Sequence, residues 1–237
     1  MADALTFVCL FFMLVSIYLT MLFLLLHYKN KGQLKEVRTP KKLPGVSVLI
    51  PAYNEEATIA GTINSVLDSE YPKQLLEVIV INDGSTDNTL QEIKKIKGVK
   101  VINKENSGKA DSLNHGLRAA KFNIIAVVDA DSYPNKDAIK HMVGYFEEDN
   151  VAAVTSTILV KNRKTKLEKL QSIEYAIIAW NRKLLQFIEG IYVTPGPLSL
   201  YRKDLINKYG GFDTKNLTED IEMTWRITYH GYKRESS

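Results

Sequence analysis

Five short apolar runs constrain this chain more than any other feature: residues 46–50 (Val-Ser-Val-Leu-Ile), 76–81 (Leu-Glu-Val-Ile-Val-Ile), 99–102 (Val-Lys-Val-Ile), 124–128 (Ile-Ile-Ala-Val-Val) and 151–155 (Val-Ala-Ala-Val-Thr). They are of strand length, rich in β-branched residues and mostly apolar on both faces. Between them lie segments such as 86–97 and 109–120, whose apolar residues recur at helical spacing. A strand that is apolar on both faces must be covered on both faces. The pattern therefore predicts an α/β fold, a mostly parallel sheet with helices on either side.

In such a sheet, ligands sit outside the carboxyl ends of the strands. The residues that follow three of the runs are Pro51-Ala52-Tyr53-Asn54-Glu55, Asn82-Asp83-Gly84-Ser85 and Asp129-Ala130-Asp131, which places Glu55, Asp83, Asp129 and Asp131 on one rim. Carboxylates gathered this way repel unless a cation or a hydrogen-bonding ligand compensates them. Of Asp129 and Asp131, one can reach a hard divalent ion, Mg²⁺ or Mn²⁺, which keeps one or two protein carboxylates and takes its other oxygens from a diphosphate, and the other can hydrogen-bond a ribose or share the ion. Taken singly, each feature has a plainer reading: a strand-end Asp can cap the next helix, Asp83-Gly84 is an ordinary turn, and Lys109 is either a solvated helix start or a phosphate partner.

Two later stretches join the rim. Thr194-Pro195-Gly196-Pro197, followed by Tyr201-Arg202, has little side-chain bulk and would let a substrate approach the backbone. Thr218-Glu219-Asp220 opens a helical pattern. There Thr218 reads as the N-cap, and the acidic pair either complements the helix dipole or supplies a general base.

Residues 5–26 are 22 positions without a charge, enough for a helix to cross a bilayer core at about 1.5 Å per residue. Asp3 precedes the run, and neither a basic leader nor a small-residue cleavage site accompanies it, so a retained span is expected rather than a signal peptide. Residues 27–45 carry six basic residues against Glu36, which predicts a cytoplasmic linker and a cytoplasmic domain after it. Residues 46–237 balance at 25 basic and 25 acidic, which leaves nucleic acid no basic patch to bind. The single cysteine, Cys9, excludes an intrachain disulfide and a cysteine-based metal site.

The expected organisation is a transmembrane helix over 1–27, a basic juxtamembrane linker over 28–45, and one domain over 46–237 with a nucleotide-binding half, 46–135, and an acceptor-side half, 136–237. The second half reads as a long helix from Thr165, a strand-like 191–193, a loop and two helices. The long helix bears Leu167, Leu170, Ile173, Ile177, Trp180, Leu184, Phe187 and Ile188, mostly at spacings of three and four. That stripe predicts core packing, with contact at the membrane interface near Trp180 and Lys183 as the alternative.

The five motifs 51–55, 82–85, 107–109 (Ser-Gly-Lys), 129–131 and 218–220, in this order, resemble the family 2 inverting glycosyltransferases of GT-A fold. The nearest likeness is to the membrane-bound β-polysaccharide synthases that make cellulose, chitin, hyaluronan and poly-N-acetylglucosamine. The resemblance implies a cell-membrane enzyme that transfers sugar from a UDP-sugar donor to a saccharide or lipid-linked acceptor, with inversion. It implies further that Ala52, Tyr53 and Glu55 line the nucleotide pocket, that Asp83 accepts from the uracil ring, and that Lys109 helps hold the nucleotide. Asp129 would face the nucleotide, Asp131 the metal, Gly196 and Glu219 the acceptor, and Asp220 would be the base. Asn82 stands where many relatives carry Asp, and the Gln-x-x-Arg-Trp motif of such synthases is absent from these 237 residues, which reads as a C-terminal truncation. A single-transfer enzyme acting on a lipid phosphate or lipid-linked saccharide, and a non-catalytic nucleotide-sugar-binding membrane protein, are the alternatives.

Overall fold

The computed structural model describes residues 3–35, 38–191, 193–194 and 197–236. The chain groups into two compact units, one formed by Met1–Glu36 with Leu159–Gly190, the other by Val37–Ile158 with Ile191–Ser237.

The larger unit is built on a seven-stranded sheet, taken in chain order as β1 (Val46–Ala52), β2 (Leu76–Asp83), β3 (Lys100–Lys104), β4 (Ile124–Val127), β5 (Val151–Thr155), β6 (Ser199–Arg202) and β7 (Lys233–Ser236). Its spatial order is β3-β2-β1-β4-β6-β5-β7. Every neighbouring pair is parallel except the two that involve β6. The predicted mostly parallel sheet is therefore observed, with one strand reversed.

All seven positions of β1 are buried, as a run apolar on both faces requires. Val46, Val48 and Ile50 enter one core with Val78 and Val80 of β2, beneath α2 (Ile59–Leu67) and α5 (Ala138–Met142). Leu49 faces the other core with Ile79 and Ile81, beneath α4 (Lys109–Ala119), α7 (Lys203–Lys208) and α8 (Glu219–Tyr229). The short α3 (Thr89–Lys94) buries Thr89 and Ile93. The apolar reading of 99–102 meets a limit here, because β3 is an edge strand and Val101 is exposed. Residues 191 and 193 belong to no strand, and residue 192 lies outside the described residues.

The smaller unit contains α1 (Ala4–Asn30) and α6 (Lys166–Gln186). Helix α1 is capped by the Asp3 side chain, which accepts from Thr6 N–H, and it is long and apolar enough to cross a membrane. Helix α6 starts with a full capping box between Thr165 and Glu168. Its apolar stripe does not pack into a core: Leu167 is 75% exposed, Leu170 63%, Ile173 57% and Ile177 53%, whereas Leu184 is buried. Periodicity located the stripe correctly and misjudged its surroundings, since spacing says which side is apolar and not what covers it.

Candidate active site

Because β1, β2, β3 and β4 are mutually parallel, their carboxyl ends share one edge of the sheet. At the end of β2, Asp83 is 4% exposed. It pairs with Lys104, the last residue of β3, which the strand register sets directly beside it. Its oxygens also accept from Ser107 N–H at 3.0 Å and Gly108 N–H at 2.9 Å. Burial works against ionisation of this carboxyl, but the Lys104 ammonium and the two amides outweigh it and hold the group below the usual carboxylate range. Gly84 follows at a φ of +68°, and a Cβ there would stand 2.6 Å from Asn106 N. The turn thus presses against the loop that Asp83 clamps. Beside it, Asn82, Gly84, Lys104 and Asn106 line an open hollow, and the buried Asn82 Oδ1 accepts no protein hydrogen bond.

The clamped loop delivers α4, whose first residue is Lys109. Its ammonium lies 2.8 Å from Asp129 Oδ1 and 3.0 Å from Glu219 Oε1. Burial opposes the charge on Lys109, and the two carboxylates more than restore it, so the lysine is held more firmly protonated than usual. Asp129 extends from β4, where Val128 N–H still bonds Leu49 O in continuation of the sheet. Asp131 follows after a turn and is exposed, with Ser132 Oγ 3.3 Å from one of its oxygens. Ala130 between them is fixed through its carbonyl by Thr62 Oγ1 at 2.7 Å.

Helix α8 brings Glu219 and Asp220 to this edge. Glu219 is buried and Asp220 half-buried, with one Asp220 oxygen accepting from Ile221 N–H at 2.8 Å. Burial, helped by the adjacent Glu219 charge, raises the Asp220 carboxyl above its usual range against the opposing pull of the Ile221 amide and Lys109. Thr218 occupies the N-cap position, as expected, but its side chain makes no capping bond. The helix is held instead through Thr224, whose hydroxyl lies 2.7 Å from that of Thr194. Thr194 Oγ1 also meets Tyr201 Oη at 2.7 Å, so a buried hydroxyl cluster ties residue 194 to β6 and α8.

The structure therefore brings Lys109, Asp129 and Glu219 into direct contact, with Asp220 next to Glu219 in the chain and Asp131 two residues from Asp129. Ala52 is buried at the end of β1 and Tyr53 is 48% exposed beside it. Glu55 accepts from Thr58 Oγ1 at 2.6 Å and serves the entry to α2. Asn54, at a φ of 55°, accepts from Thr86 N–H at 2.8 Å and so joins the ends of β1 and β2. Gly196 lies outside the described residues. Lys104 and Thr224 escaped the motif reading, and the stretch of Thr194 and Tyr201 was read for its low bulk and not for its hydroxyl groups. The signal for Lys104 was its place at the end of the neighbouring apolar run; for the hydroxyl cluster the sequence carries no local sign.

No group of three or more histidine, cysteine or acidic side chains is gathered for a metal among the described residues. Asp129 and Asp131 fit an ion that takes few protein ligands and completes its shell with phosphate oxygens and water, as Mg²⁺ and Mn²⁺ do.

Comparison with known proteins gives a consistent picture. Residues 47–210 match the family described as glycosyl transferase family 2. The chain is 37% identical over 198 residues to the poly-β-1,6-N-acetyl-D-glucosamine synthase of Staphylococcus aureus strain COL, covering 81% of this chain and 48% of that one. It is 36% identical over 199 residues to the Staphylococcus epidermidis synthase, with the same coverage. The chain thus spans about half the length of the curated relatives it matches. Among solved structures, the mannosyltransferase PcManGT of Pyrobaculum calidifontis, in complex with GDP-Man and Mn²⁺, aligns with a TM-score of 0.71 at 24% identity over 95% of this chain and 65% of its own. Residues 1–349 of S. aureus TarS, in complex with UDP-GlcNAc, align with a TM-score of 0.61 at 24% identity over 81% and 56%. At that identity the likeness speaks to the fold, which is that of the GT-A glycosyltransferases.

Proposed function

The chain belongs to glycosyl transferase family 2, and from that membership we propose that it is a membrane-anchored, inverting enzyme that adds sugar from a UDP-sugar to a saccharide acceptor in β-linkage, as a polysaccharide synthase does. N-acetylglucosamine is the proposed sugar, supported by the two synthases it resembles at 36–37% identity. Helix α1 is the proposed anchor, with the domain after it on the cytoplasmic side. Support for that side comes from the basic residues just beyond α1.

One observation carries the reading: Lys109, Asp129 and Glu219 converge at the carboxyl edge of the sheet, next to the raised Asp220 carboxyl. The nucleotide is proposed to lie along that edge, against Ala52, Tyr53 and Glu55, with the uracil N3–H donating to Asp83 beside the unpartnered Asn82 Oδ1. Asp131, aided by Asp129, would hold Mg²⁺ or Mn²⁺, which neutralises diphosphate charge when bound. Lys109 turns from its carboxylates to the diphosphate and stabilises the charge that grows on the departing UDP. Asp220 takes the proton from the acceptor hydroxyl, which attacks the anomeric carbon opposite the leaving group; Gly196 and Glu219 border the acceptor.

The test is a panel of UDP-GlcNAc, UDP-glucose and GDP-mannose with Mg²⁺ or Mn²⁺, scored for nucleotide release and product length by the chain in membranes. UDP release from UDP-GlcNAc with growing β-linked product is expected. Product of one added sugar would replace polymer synthesis by single transfer to a lipid-linked acceptor. Tight UDP binding with no release from any donor would overturn the enzymatic reading.

A further inference from the structure

The Lys104 ammonium is fully engaged by protein. Its side chain is 11% exposed, and it donates to Asp83 Oδ1, to Ser107 Oγ and, at 2.8 Å, to Glu105 O, with Asp111 Oδ2 at 3.2 Å. An ammonium has three protons, and three acceptors take them. Lys104 is thus unlike Lys109, whose side chain is 38% exposed and can turn to a ligand.

What Lys104 does is occupy one side of Asp83. A carboxylate offers about four acceptor positions, two on each oxygen. Oδ1 accepts from Lys104 Nζ and from Ser107 N–H at 3.0 Å, and Oδ2 accepts from Gly108 N–H at 2.9 Å. Among the described residues these are its partners, so Oδ1 is full and one position remains, on Oδ2. Asp83 and Lys104 are register partners across β2 and β3, and the two amides lie in the turn that leads into α4. Turning the carboxylate would break all three hydrogen bonds.

One acceptor position recognises one N–H. Uracil presents a single donor, N3–H, between two carbonyls. Guanine presents two side by side, N1–H and the 2-amino group, and a carboxylate takes both only when both of its oxygens are open. We propose that Lys104 is a positioning residue that determines base specificity: by filling Asp83 Oδ1 it leaves Asp83 able to read one donor, which selects uridine over guanosine nucleotides. The proposal rests on the reading that the donor's base lies against Asp83. A guanine there keeps its 2-amino group without a partner, which lowers affinity by about tenfold or more.

Inosine diphosphate separates this effect from size, because hypoxanthine has the outline of guanine and lacks the 2-amino group. The full chain in lipid nanodiscs with Mg²⁺ is titrated by calorimetry with UDP, N3-methyl-UDP, inosine diphosphate and GDP. UDP should bind most tightly, N3-methyl-UDP about tenfold or more weaker, and inosine diphosphate about tenfold more tightly than GDP. Lys104→Met opens Oδ1 and should close the gap between the two purines through tighter GDP binding, a gain that a loosened fold does not produce. Lys104→Arg keeps a cationic donor on Oδ1 and should retain the gap. With N3-methyl-UDP weak, equal binding of GDP and inosine diphosphate by the unaltered chain overturns the proposal without any variant. An unchanged gap in Lys104→Met does the same, and so does undetectable binding of both purines by the unaltered chain and by Lys104→Met, which assigns the choice to size. If N3-methyl-UDP binds as tightly as UDP, the base does not donate to Asp83, and the proposal falls together with the reading beneath it.

Discussion

Lys109 Nζ stands 3.0 Å from Glu219 Oε1, so the first residue of α4 and the first residue of α8 meet in an ion pair. A lysine at a helix N-terminus opposes the helix dipole, and Glu219 with Asp129 offsets that cost. The pair also joins the helix that carries the donor-side cation to the helix that carries the proposed base.

Lys109→Met and Glu219→Gln should therefore each lower kcat/KM, and the double variant should lose less than the two single losses combined, with a coupling of about 1 kcal/mol. Additive losses in that cycle would show that the contact is incidental to function.

Asp220→Asn keeps the shape of the side chain and removes its capacity to accept a proton. Transfer should fall by about 10²–10⁴-fold while UDP affinity, measured by calorimetry, stays unchanged. Near-normal transfer would remove Asp220 from the mechanism.

A base must be ionised to work, and burial lifts the Asp220 carboxyl above its usual range. Activity should then disappear, as pH falls, at a higher pH than an ordinary aspartate would give. Glu219 opposes ionisation of its neighbour, so Glu219→Gln should move the acid limb of the kcat/KM profile to lower pH. A limb that does not move would assign the titration to another group.

The pair of Asp83 and Lys104 predicts a stability effect. The Asp83 carboxyl is held below its ordinary range in the fold, so its contribution is present above the unfolded pKa and is lost as pH falls through the folded one. Asp83→Asn removes one of the two carboxylates paired with the nearly buried Lys104, the other being Asp111 at 3.2 Å, and should cost about 2 kcal/mol at neutral pH, read by urea unfolding. The variant should also show a flatter loss of stability toward acid.

Tyr201→Phe deletes one hydroxyl of the buried cluster and leaves Thr194 paired with Thr224. A loss of about 1 kcal/mol in stability is expected, with acceptor KM rising more than donor KM, because the cluster anchors residue 194 and α8.

Much of this architecture is legible in the sequence. The strand 46–50 grew only to Val46–Ala52, and 151–155 was met residue for residue, because a run that is apolar on both faces leaves a strand no exposed side to mispredict. The reversed β6 and the late β7 were not legible. Ser-Leu-Tyr-Arg and Lys-Arg-Glu-Ser carry ordinary polarity, and their burial comes from neighbours far away in the chain.

The sequence by itself determined that Asp83, Asp129 and Asp131 would stand at the carboxyl ends of neighbouring strands, since parallel strands place their following residues on one edge whatever the loops do. Only the tertiary structure decided how those charges pair: Lys109 between Asp129 and Glu219, and Asp83 against Lys104 rather than open to solvent. It also turned the apolar row of α6 outward, against the core packing that periodicity favoured. The physical reason is the same in each case. Spacing along a chain records the side on which a residue lies, whereas its partner is set by register and packing between segments as distant as residues 109 and 219.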